Sequence, residues 1–146
     1  MNTNLQDFAS GNSIAADTAA LVGRILVALI FIISGFGKIS GYAGTAGYMA
    51  SKGMPLVDVL LPLTILIELG GGLLIALGWK VRWAAAAIFL FLIPVTLVFH
   101  NPAGLAGAEA QQQMINLLKN LSIMGGMLCL FAFGPGGFSF DAKKSA

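Results

Sequence analysis

The sequence predicts an all-α fold: four transmembrane helices, antiparallel up and down, forming one integral-membrane bundle. Three observations predict it. The 146 residues are 58% hydrophobic and 10% charged, whereas soluble domains run near about 25% charged; mean hydropathy is +0.89. Four apolar segments stand out, each near the length of about 20 residues that crosses a bilayer, and none shows the alternation of a membrane β-strand. The link between the second and third is only Gly78-Trp79-Lys80, which forces a tight antiparallel hairpin.

The first segment runs from about Ala19 to Lys38, after a polar tail (1–18) that carries Asp7 and Asp17 but neither Lys nor Arg. That tail does not read as the basic start of a signal peptide. The second segment is Leu56 to Leu77 and the third Val81 to His100. They contain Pro62 and Pro94, each of which removes a backbone hydrogen bond and kinks its helix. The fourth is Met114 to Phe133, stopped by Gly134-Pro135-Gly136-Gly137. The links Ile39 to Pro55 and Asn101 to Gln113 have room for caps or short interfacial helices. The bundle therefore occupies 19–138, with a polar C-terminal tail (139–146). Gly70-Gly71-Gly72, Ala84 to Ala87 and Gly125-Gly126 supply the small residues that let membrane helices approach closely. Cys129 reads as a small buried apolar residue.

Orientation follows the Lys/Arg bias of the short loops. Lys80, Arg82, Lys143 and Lys144, with Arg24 near that end, outweigh Lys38, Lys52 and Lys119 on the other side. Both termini and the Trp79/Trp83 turn are thereby expected in the cytoplasm.

Glu68 lies in the middle of the second segment. A carboxylate at that depth costs roughly 2.5–3.5 kcal/mol on lenient insertion scales, so it faces inward, takes a partner or is protonated. Helical spacing aligns Arg24, Ala28, Phe31, Gly35 and Lys38 on helix one, with Arg24 and Lys38 about 21 Å apart. Thr64, Glu68, Gly71, Gly72 and Ile75 share a face of helix two. Arg82, Phe89, Thr96 and His100 align on helix three, and Asn116, Lys119, Asn120 and Ile123 on helix four. Two readings follow. In one, Glu68 is neutralised in a fold-specifying ion pair with Arg24 while Lys38 and Arg82 snorkel to head groups. In the other, the inward polar faces line a cavity in which Arg24, Lys38, His100, Asn116, Lys119 and Asn120 bind a ligand and Glu68 exchanges a proton. Lys119 is an alternative partner for Glu68.

Several classes are excluded. No Lys/Arg cluster suits nucleic acid, no His/Cys/Asp/Glu group has metal-ligand spacing, and one cysteine rules out a dithiol pair within the chain. No haem, flavin, P-loop or nucleophile-elbow motif is present.

Arg24 followed by Phe31-Ile-Ile-Ser-Gly-Phe-Gly-Lys38-Ile-Ser-Gly-Tyr42, then Tyr48-Met49, Gly53-Met-Pro55, Glu68-Leu-Gly-Gly-Gly72, Leu77-Gly78 with Arg82, Lys119-Asn120-Leu-Ser-Ile-Met-Gly-Gly126 and Gly134-Pro-Gly136 resembles the DoxX family. The resemblance spans about Leu21 to Asp141 and is nearest to small bacterial inner-membrane proteins of that family. It implies a four-helix inner-membrane bundle and matches family positions at Arg24, Lys38, Glu68, Lys119 and Asn120, without a catalytic assignment for them. It also implies a redox association: the family name comes from a membrane subunit of a thiosulfate:quinone oxidoreductase. The leading expectation is a redox-associated component that binds a quinone or small aromatic and draws electrons from a membrane or cytoplasmic partner. The rivals are a non-catalytic scaffold in a larger complex and an oligomeric small-molecule exporter.

Overall fold

The computed structural model describes the backbone of residues 3–144 and the side chains of residues 14–143. Its helices are α1 (Thr3–Ser40), α2 (Tyr42–Ser51), α3 (Val57–Ile65), α4 (Gly71–Leu77), α5 (Val81–Phe99), α6 (Gly107–Phe133) and α7 (Phe140–Lys144). A π-helical turn, Leu66–Gly70, joins α3 to α4. Four spans are long and apolar enough to cross a membrane: Ile14–Ser40, Val57–Leu77, Val81–Phe99 and Gly107–Phe133. No strand occurs among the described residues.

The elements differ from expectation mainly at their ends. α1 begins at Thr3 rather than near Ala19, so the segment expected as a polar tail is helical as far as it is described. α6 begins at Gly107, before the apolar stretch that starts at Met114. The link after α1 holds the short helix α2. Pro62 and Pro94 both lie inside helices. Cys129 is exposed on α6 rather than buried, because the inward position of that turn is taken by Met127.

α1 packs on α4 and the π turn, α4 on α5, and α5 on α6, so neighbours in sequence are neighbours in space. The core between them comprises Ala28, Phe31, Ile75, Val81, Ala84, Ala85, Ile88, Leu92 and Met127. Outer faces are apolar as well: Ile33, Leu66, Leu90 and Leu97 are exposed. A soluble protein avoids such a surface; in a bilayer it meets acyl chains. Small residues work inside the bundle. A methyl group on Gly71 would stand 2.9 Å from Ile88 Cδ1, and one on Gly72 3.1 Å from Phe31 Cβ.

One end of the bundle is closed by the C-terminal segment. Gly78 (φ 73°) and Lys80 (φ 49°) are both left-handed and make the α4–α5 turn. Asp141 braces this turn: its carboxylate accepts from the backbone N–H of Lys80 (2.8 Å) and Val81 (3.0 Å), and its own N–H donates to Gly78 O at 2.9 Å. The Gly137 N–H donates to Asp17 on α1 at 2.6 Å. Arg24, 1% exposed, donates to Phe138 O at 2.6 Å.

Candidate functional site

The site begins with a close helix approach. Gly35 has no side chain where α1 crosses the π turn; a Cβ there would lie 2.9 Å from both the backbone N and the Cβ of Leu69. Backbones this close bring the next turn of α1 against the residue beside Leu69. Lys38 Nζ consequently reaches Glu68 Oε2 at 2.7 Å, with side chains 23% and 9% exposed. The ammonium also donates to Ser34 Oγ, one turn back on its own helix, at 2.7 Å. The carboxylate that lies deep in the membrane is thus paired with a cation that keeps a neutral acceptor of its own.

Glu68 stands at the centre of the π turn. Such a turn inserts one extra residue into a helix and recurs at functional sites. It shifts the register between α3 and α4. Thr64, on α3, still shares the inward face with Glu68, and both line a cavity of about 650 Å³.

That cavity gathers Lys38, Glu68, His100, Lys119 and Asn120. Its walls are otherwise largely apolar, with Phe31, Phe91 and Phe99 among them. His100 Nδ1 lies 3.1 Å from Gln113 Oε1. Asn120 is buried and donates from Nδ2 to Thr96 Oγ1 at 3.0 Å, joining α6 to α5. Lys119 donates to Asn116 Oδ1 at 3.3 Å. One wall is α2, which contributes Thr45, Tyr48 and the buried Met49; the Tyr48 ring meets Phe99 with centroids 5.7 Å apart.

Two expected members stand elsewhere. Arg24 does not line the cavity and does not neutralise Glu68: it lies under the C-terminal segment at the other end of α1. The reason is the helical rise, since a residue 14 positions from Lys38 is about 21 Å away along the axis. Asn116 is absent from the lining and meets the cavity only through Lys119. Ser34, Tyr48 and Gln113 were not expected. Ser34 was signalled by its position one turn from Lys38; Tyr48 lies on the short helix α2 and Gln113 on the part of α6 that precedes its apolar run. Among the described residues no three His, Cys, Asp or Glu gather as a metal site.

The DoxX family model matches residues 19–101, more than half of the chain. The protein belongs to the DoxX family. Two relatives from Escherichia coli (strain K12) extend the similarity: "Inner membrane protein YqjF" is 42% identical, covering 86% of this chain and 91% of its own length, and "Inner membrane protein YphA" is 37% identical, covering 84% and 88%. With four membrane-spanning helices, this DoxX protein is a multi-pass inner-membrane protein. Lys38, Glu68 and His100 fall inside the DoxX match; Lys119 and Asn120 lie beyond it. No solved structure matches the chain.

Proposed function

We propose that this DoxX protein binds a quinone or a similar small aromatic between its helices, as a redox-associated component of the inner membrane. The observation that carries this reading is the Lys38–Glu68 pair set in the wall of a largely apolar cavity of about 650 Å³. A cavity of that size and character is typical of small-molecule sites. The apolar walls take the ring, and the polar cluster takes its oxygens. An ammonium has three N–H donors; Ser34 and Glu68 use two of those on Lys38, leaving one for a ligand oxygen. Lys119 and His100 serve a second oxygen. Glu68 is the group that exchanges a proton with the ligand as it gains or loses electrons. The electrons themselves come from a partner protein, because the chain carries no flavin, haem or dithiol motif. Both termini face the cytoplasm in this reading, following the Lys/Arg bias.

The test is to purify the full chain in mild detergent and identify co-purifying small molecules by mass spectrometry, with Glu68→Gln in parallel. A stoichiometric quinone or aromatic that is depleted in the variant supports the proposal. Phospholipid alone in both preparations overturns it and favours a scaffold without a ligand.

A further inference from the structure

Charge bookkeeping within the cavity, resting on the reading above, narrows the ligand. Lys38 and Glu68 cancel at 2.7 Å. His100 faces the uncharged amide of Gln113, with Nδ1 3.1 Å from Oε1, and not a carboxylate. That leaves Lys119, which lines the same cavity and forms no ion pair among the described residues; its hydrogen-bond partner is the uncharged amide oxygen of Asn116 at 3.3 Å. Lys119 is also exposed, which places it at the rim. It is 14 positions before Phe133, the end of α6, hence about 21 Å along a helix that crosses about 30 Å of hydrocarbon. That leaves it about 9 Å from the other face, where a lysine either snorkels to the head groups or serves a ligand path, and Lys119 lines the cavity.

We infer that Lys119 is the counter-ion of the ligand, and that the cavity selects a singly charged aromatic anion (a hydroxyquinone or phenolate type of ring oxygen) over its neutral counterpart. Two features support one negative charge rather than two. The lining holds one lysine, Lys119, outside the Lys38–Glu68 pair, and the Glu68 carboxylate in the same lining disfavours a second anionic group. The aromatic walls suit a flat ring, and because Lys38 is already paired with Glu68, the charged contact falls to Lys119. A neutral carbonyl also accepts from the ammonium, but only the anion adds attraction between opposite unit charges, which near a protein surface is stronger than in bulk water, enough for a preference of about tenfold.

The test uses a matched pair of probes: 2-hydroxy-1,4-naphthoquinone, an anion at neutral pH, and its neutral 2-methoxy ether. Both are titrated by calorimetry into the full chain in detergent, in a Cys129→Ser background that prevents thiol addition to the rings. The expected result is binding of the anion at least about tenfold tighter than the ether. The preference should disappear in Lys119→Gln and persist in Lys119→Arg, with unchanged size-exclusion profiles. Equal affinities, or a preference that survives Lys119→Gln, overturn the inference while leaving the aromatic-ligand reading standing. Binding of neither probe overturns both.

Discussion

Replacing the two members of the ion pair singly and together gives a direct measure of what holds the centre of the bundle. Lys38 and Glu68 meet at 2.7 Å with side chains 23% and 9% exposed. A hydrogen bond involving charged groups contributes about 1.5–3 kcal/mol, and a fully exposed ion pair below about 1 kcal/mol. The nearly buried carboxylate puts this pair nearer the first range, so a coupling of about 1–3 kcal/mol is expected. Single changes are unequal. Breaking a buried pair costs up to about 3–5 kcal/mol. Glu68→Gln should cost less than that, because Lys38 keeps Ser34 as an acceptor. Lys38→Met strands the carboxylate and should cost more. The double variant removes both charges and should be more stable than the sum of the singles implies. Thermal unfolding in detergent, followed by circular dichroism, reads all four proteins. Additivity within about 0.5 kcal/mol, the behaviour of independent sites, would refute the pairing and with it the account of why Glu68 is tolerated.

Two further changes test the closed end of the bundle. Gly78→Ala should lower stability by about 2–5 kcal/mol in the same unfolding assay, adding a left-handed backbone cost to overpacking, because the new methyl group would run into Arg24 Nη1 and Ser139. Asp141→Ala should cost about 1–2 kcal/mol, the range of a lost helix cap, and hydrogen exchange should show faster exchange at the Lys80 and Val81 amides, whose acceptor is removed.

The fold was legible in the sequence because a bilayer leaves few choices. An apolar run of the right length must be a helix, and a three-residue link must make a hairpin. Helix ends were less legible, since hydropathy marks where lipid begins and not where hydrogen bonding stops; α1 and α6 therefore start earlier than their apolar runs. Within the site, spacing put Thr64 with Glu68 and Thr96 in line with His100. The partner of Glu68 was not legible. Arg24 and Lys119 were the expected partners and Lys38 was expected to snorkel; instead the crossing at Gly35 brings Lys38 to Glu68, while Lys119 donates to Asn116. The π turn was also invisible, because a register shift depends on contacts between helices rather than on local propensity. Tyr48 lies on the short helix α2 and Gln113 on the first part of α6, both outside the apolar runs that hydropathy marks.

The C-terminal segment implies an order of assembly. Arg24 is among the earlier residues made, and the carbonyl it binds belongs to Phe138. Asp17 likewise receives the Gly137 N–H. The two contacts join residues 114 and 120 positions apart, so neither can form before residues 137 and 138 are in place, and even then Arg24 Nε and Nη1 stay buried without a hydrogen-bond partner. The segment from Gly137 to Asp141 ties α1 and the α4–α5 turn together, because it holds Asp17, Arg24 and the amides of Lys80 and Val81 at once.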